Sequence, residues 1–356
     1  MSHTTEISET LSKCLDDLEE RIVPEEEERI LTEWVDFSDG CSKGDVFSPR
    51  RSRPAPPAVA WPHVTVNAAL EDFDAMALQQ FGQCSHQLAE AGGLLLCVRC
   101  NYGTGILPSL FGVEPFIMDE ELDTLPTCRP LPGVDAIKKV LDGGLPNLSG
   151  GYGTKVMEMG MRFAALRRVY PNIGRYVHIY HSDLQGPMDV VELLWGSSLF
   201  YALHDTPELV RDLLELVCET YVAFMREWEK TVPFPDGYAP HWGLLHRGRI
   251  MLRDDSAMNL SPQMFDEFVR PYDQRLLDEF GGGAVHFCGR GDHYIGSMSQ
   301  MRGLHAVNLS QPECNDMDAI FAHTVDRGIN VIGLTRDAAA AALAKGRSLH
   351  GRVHCL

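Results

Sequence analysis

No stretch of about 18 consecutive apolar residues, the length that crosses a bilayer, occurs in this chain, which predicts a protein without a membrane span. Positive charge is also in short supply. Lys and Arg number 31 against 50 Asp and Glu, a formal net charge of −19. Such a surface repels phosphate backbones and anionic lipid alike, so neither nucleic acid nor a membrane is expected as a partner. The first residues, Met1 to Glu9, lack the basic start and apolar run of a signal peptide, and the expectation is a cytoplasmic protein. A small-domain cysteine framework is absent too. The 10 cysteines are scattered through a long chain, which fits reduced thiols better than disulfides. Finally, there is no good Gly-rich phosphate turn: Asn101-Tyr102-Gly103-Thr104-Gly105 is only a poor match.

What is present is enough apolar sequence, 44% of 356 residues, for one large core or two modest ones. Residues 1–58 stand apart in composition. Glu19, Glu20, Glu25, Glu26, Glu27, Glu28 and Glu33 make them the most acidic segment. Leu11, Leu15, Leu18 and Ile22 recur at helical spacing, as do Ile30, Leu31 and Trp34, which predicts two short amphipathic helices broken at Pro24. An extended Pro/Arg linker follows, with Arg50, Arg51 and Arg53 read as a solvated loop; the alternative is a basic arm folded over an active site to hold a carboxylate. The expected division is an acidic helical extension and linker, 1–58, and a catalytic domain, 59–356.

From Ala58 the pattern is strand, loop, helix, repeated. Strand candidates are 94–98, 176–180, 250–252, 284–287, 305–309, 330–334 and 351–355, with an eighth near Trp61 to Val66. Thr206-Pro207 and Ser261-Pro262 read as helix starts, Gly281 as a helix end, and Pro271 as a break. Alternating strands and helices imply an α/β protein with a parallel sheet, and a (β/α)8 TIM barrel is the predicted architecture over a doubly wound sheet. Polar residues collect where strands end: Asn101 and Tyr102, Asp183 and Gln185, Asp254 and Asp255, His286 and Cys288, Asn308 and Gln311. In a barrel those ends share one face, which carries the active site.

The chain is organised around Ala284-Val285-His286-Phe287-Cys288-Gly289. At i and i+2 of a strand, imidazole and thiol share a face, which is half of a zinc site; the other reading is a structural cysteine beside a hydrogen-bonded histidine. Of Asp254 and Asp255, adjacent residues, at most one is expected to enter the mouth. Cys97 and Cys100 have CxxC spacing but lie on a strand rather than at a helix start, and read as structural. A catalytic zinc takes three protein ligands and leaves a position open. Cys355, on a final short strand, is the candidate for the third, with a free terminal cysteine as the alternative; His354 points the other way.

The segment from Arg253-Asp254-Asp255-Ser256 through Ser261-Pro262, Phe265, Phe268 and Pro271-Tyr272 to His286-Phe287-Cys288-Gly289 resembles the zinc-dependent methyltransferase branch of the uroporphyrinogen decarboxylase superfamily. The resemblance runs more weakly from about residue 60 to the end and does not cover the acidic segment. It implies zinc on His286, Cys288 and Cys355, holding a substrate thiol as a thiolate that takes a methyl group, commonly from a corrinoid protein. Asp183 and Asp254 would then be catalytic, and Asn101, Tyr102, Gln185, Asn308 and Gln311 would shape the substrate pocket. The second expectation is a metal-free decarboxylase of a tetrapyrrole or other carboxylate, with Asp183 or Asp254 stabilising a protonated intermediate. The arginine-rich motif that grips porphyrinogen carboxylates in true decarboxylases is not recognisable here. The third is a catalytically silent barrel that docks a partner through its acidic helices.

Overall fold

The computed structural model describes residues 7–356. Ser8 caps the first helix, α1 (Glu9–Arg21), its Oγ accepting the Leu11 N–H. Leu11, Leu15 and Leu18 then fall on one face and are buried. Pro24 occupies the first turn of α2 (Pro24–Ser38), which buries Ile30, Trp34 and Phe37 completely. The expected break at Pro24 therefore separates two helices that both face the core.

The strands, in chain order, are β1 Val46–Phe47, β2 Cys97–Val98, β3 Pro115–Phe116, β4 Thr127–Cys128, β5 His178–Ile179, β6 Tyr238–His241, β7 Leu244–Arg247, β8 Ile250–Arg253, β9 Gly283–Phe287, β10 Leu304–Leu309, β11 Asn330–Leu334 and β12 Val353–Cys355. Six of them form one parallel sheet in the order β1-β12-β11-β10-β9-β8. A further parallel pair, β2 and β5, is followed by an antiparallel hairpin, β6 and β7. Helices connect the parallel strands, so the fold is a mixed α/β one.

Strand periodicity decides which side chains meet. Val285, Phe287, Val307, Leu309, Val331, Val353 and Cys355 face the helices and belong to the main apolar core. Met251, Ala284, Ala306 and Ile332 face the other way, where they pack with Trp34 and Phe37 of α2 and with Leu244 and Leu245 of the hairpin. Small alanines on β9 and β10 leave room for these inserted elements. The hairpin turns at Trp242 (φ 53°) and Gly243 (φ 79°). Positive φ at both central residues is the turn that matches strand twist, but a bulky residue there is uncommon. His241 anchors the turn from below, its ring nitrogens 2.7 Å from His246 Nε2 and 2.8 Å from His181 Nε2.

Two expectations change. The segment near Trp61 to Val66 is a loop into the helix Val66–Glu71, not a strand; the additional parallel strand is Val46–Phe47, paired with β12. The boundary expected after residue 58 therefore does not divide the packing, because β1 lies in the sheet and α2 seals one of its faces. Arg51 does not reach a substrate site either. It is buried against Glu27, with Nε 2.7 Å and Nη2 2.6 Å from the two carboxylate oxygens, and Nη2 also meets the Leu94 carbonyl at 3.2 Å.

Removing residues 1–47 should thus unfold the chain rather than trim it. Trp34→Ala alone should cost about 3–5 kcal/mol, read as a drop in the urea midpoint. A truncated chain that kept its cooperative transition at the full-length midpoint would contradict this packing.

Candidate metal centre

Register places the site. In the parallel pairing, His286 of β9 lies opposite Asn308 of β10 and Arg253 of β8. His286 Nδ1 is 2.6 Å from Asn308 Oδ1. The Asn308 amide is itself fixed, since its Nδ2 donates to the Ile332 carbonyl at 2.6 Å. That leaves Oδ1 as the acceptor, puts the imidazole proton on Nδ1, and frees the Nε2 lone pair. Gly333 makes the approach possible: a Cβ there would sit 2.7 Å from Asn308 Nδ2, and its φ of 72° suits glycine.

Around that lone pair stand a thiol and a carboxylate. Cys288 Sγ is 3.4 Å from His286 Nε2, and Asp255 Oδ1 is 3.7 Å from it. The ligand atoms of Asp255, His286 and Cys288 all lie within 4.8 Å of one another. Asp255 gets there because β8 ends at Arg253 and the chain turns into a short 3-10 helix, Ser256–Asn259. The buried carboxylate of Asp189 holds that turn, accepting the Asp255 N–H at 2.9 Å and the Ser256 N–H at 2.8 Å. Asp255 in turn accepts the Cys288 N–H at 2.8 Å. Beyond Cys288, Gln311 Oε1 accepts the Gly289 N–H at 2.6 Å, and Asn315 Oδ1 accepts the Gly291 N–H at 2.7 Å, so the loop after the ligands is tied down.

The electrostatics suit a cation. Burial pushes the His286 imidazole down, toward its neutral, ligating form. Burial, followed by the Asp255 carboxylate, pushes the Cys288 thiol up to about 11. A thiol beside a carboxylate stays protonated unless a positive charge lies between them. A divalent ion would supply that charge, and neutral imidazole, thiolate and carboxylate are zinc donors. The donor set therefore fits zinc.

The other residues expected at the site are distributed as follows. Asp183 is near but committed: Arg99 and Arg253 both pair with it, and the Trp242 indole N–H donates to it at 3.1 Å. Trp242 continues from there to His286, edge-on, with ring centroids 5.0 Å apart. Asp254 points away, buried beside Asp273, and burial raises its carboxyl well above the usual range. Asn101 Nδ2 lies 3.4 Å from Gln79 Oε1, lining a separate cavity that shares Leu94 and Trp242 with the metal side. Tyr102 is buried in the main core against Tyr152, and Gln185 is buried in the loop before the helix Pro187–Trp195.

Cys355 is not brought to His286 and Cys288. On β12, Val353 and Cys355 face the helices, and the thiol points at the Thr335 carbonyl, 4.0 Å away. His354 takes the other face, against Trp34 at 4.5 Å, with its Nδ1 accepting the Gly333 N–H. The place expected for Cys355 is filled by Asp255. Sequence reasoning also passed over Trp242, whose signal was a bulky residue before glycine in a tight hairpin, and the buried anchor of the Asp255 turn, Asp189.

No protein-family model matches the chain, and no curated protein does. A solved structure does: a methyltransferase from Methanosarcina mazei superposes with a TM-score of 0.61, covering 92% of this chain and 92% of that chain at 17% identity. This chain shares that protein's fold. Among the described residues, no helix is long and apolar enough to cross a membrane.

Zinc content after dialysis tests the ligand set. His286→Ala, Cys288→Ser and Asp255→Asn should each strip the site, and Asn308→Ala should weaken it roughly 10–100-fold, as loss of a ligand's orienting partner does. Cys355→Ser should leave zinc unchanged; its loss in that variant would restore Cys355 as a ligand.

Proposed function

We propose that the chain is a zinc-dependent methyltransferase that activates a thiol acceptor, with the methyl group delivered by a corrinoid protein. One observation carries this reading: the convergence of Asp255, His286 and Cys288, with the histidine tautomer fixed by Asn308. The fold shared with a methyltransferase supports it. So does the resemblance of the segment around His286-x-Cys288 to the uroporphyrinogen decarboxylase superfamily. The same reading takes the parallel strands β1, β2, β5 and β8–β12 as the eight staves of a closed (β/α)8 barrel. The Gly186 N–H bonded to the Arg253 carbonyl at 2.8 Å supports closure between β5 and β8.

In this reading Asp255, His286 and Cys288 would hold zinc, which when bound would lower the pKa of the acceptor thiol so that the thiolate is available near neutral pH. The chain's residues do the rest. Asn308 holds His286 in its ligating tautomer. Asp189 holds the Asp255 turn, and Gln311 and Asn315 hold the loop after Cys288. Trp242 walls the site and keeps it dry on the hairpin side. As the carbon–sulfur bond forms, the carbon–donor bond breaks; the thiol proton leaves to solvent and the bonding pair stays with the donor.

The decarboxylase reading needs an aspartate free to meet an intermediate. Asp183 is held by two guanidinium groups and Asp254 faces away, which favours the methyltransferase. The partner-protein reading makes the acidic helices the docking element; their apolar faces are packed in the core, which leaves that role to their charged faces alone.

Methylcobalamin can stand in for the corrinoid partner. Zinc-loaded protein should consume its methyl group in the presence of a thiol, and the rate should vanish on chelation and in Cys288→Ser. Turnover that survives metal removal would overturn the assignment.

A further inference from the structure

Resting on the thiol-activation reading, we infer that the acceptor is an uncharged thiol with a largely apolar body, rather than one bearing a carboxylate, sulfonate or phosphate. The chamber beside His286 has a volume of about 570 Å³, within the range that encloses small organic molecules. Its wall is apolar where it is not made of the site itself: Leu94, Trp242, Leu244, Leu309 and Leu356 line it. The polar groups are neutral. Asn308 is already committed to His286 and Ile332, leaving Ser310 and Thr335 as the hydroxyls a ligand could use. Among the described residues, no Lys, Arg, Asp or Glu lines this chamber.

An anionic tail would therefore lose its water without meeting a cation, which is costly. It would also approach the Asp255 carboxylate, 3.7 Å from His286 Nε2, and a protein whose net charge is −19. The neighbouring cations do not offset this. Arg336, next to the lining Thr335, is turned onto the Leu356 carbonyl and the Ser48 hydroxyl, each at 2.8 Å. Arg253 is 2% exposed, lies over the Trp242 ring at 4.9 Å, and pairs with Asp183. Arg99 is held by the same carboxylate. Arg253 and Arg99 are spent on Asp183 and Arg336 on Leu356 and Ser48, so the chamber presents a hydrocarbon surface with two hydroxyls at its rim.

Cobalt(II) loaded in place of zinc gives a binding readout that does not depend on turnover, because a thiolate that joins the metal adds a sulfur-to-cobalt charge-transfer band. The full-length protein is titrated with 1-propanethiol and 2-mercaptoethanol, and with 2-mercaptoethanesulfonate and 3-mercaptopropionate. The neutral thiols should develop the band with a Kd at least tenfold lower than the anionic ones. Thr335→Arg, a change at an exposed rim position, should narrow or reverse that preference. Equal or tighter binding of the anionic thiols by the unmodified protein would overturn the neutral-acceptor inference and leave thiol activation standing. No new band with any thiol would overturn both.

Discussion

The hydrogen bond between His286 Nδ1 and Asn308 Oδ1 governs this structure's chemistry, because it decides which imidazole nitrogen carries a lone pair and where that lone pair points. It exists only because β9 and β10 run parallel in a register that sets the two residues opposite each other. The Asn308 amide is held in turn by the Ile332 carbonyl of the next strand, across a glycine that leaves it room. Three strands are thus needed to fix one ring. A single hydrogen bond is worth only about 0.5–1.5 kcal/mol net, yet here it carries the orientation of a candidate ligand, which matters more than its energy.

The charges follow the same geometry. Asp255 and Cys288 are brought together by backbone contacts, the Asp189 carboxylate holding the 255–256 turn and Asp255 accepting the Cys288 N–H. Without a cation this is an unfavourable neighbourhood, and the thiol is held protonated. Such a juxtaposition costs folding energy, and a divalent ion bound there would reverse the sign. On the other side of Trp242 the opposite arrangement holds: two guanidinium groups close on Asp183, and the charge there is internally satisfied. The indole separates the two regions. Its left-handed backbone is the one strained feature of the hairpin, and it places the ring against His286.

Much of this was legible in sequence, for a local reason. His286 and Cys288 share a face because strands alternate, and that requires no knowledge of neighbours. The helix breaks at Pro24 and Pro271 and the glycine end at Gly281 were local as well. What failed depended on phase and partners. β12 could have been placed with either Cys355 or His354 inward, and the apolar alternation of Val353 with Cys355 settled it the other way. Asp254 was favoured over Asp255 as if the strand continued, whereas the chain leaves β8 at Arg253 and a 3-10 turn swings the second carboxylate round. The two residues of β1 are too few to show a period, so a strand was sought at 61–66 and the acidic segment read as separable. The role of Asn308 was out of reach, since register between strands is a non-local fact.

X-ray absorption at the zinc edge, on protein loaded with one equivalent of zinc and no added thiol, tests the donor set most directly. A single sulfur neighbour at ~2.3 Å is expected, with nitrogen and oxygen neighbours at ~2.0–2.2 Å. Two sulfurs in the first shell would contradict it, because only Cys288 among the described cysteines stands within reach of His286 and Asp255.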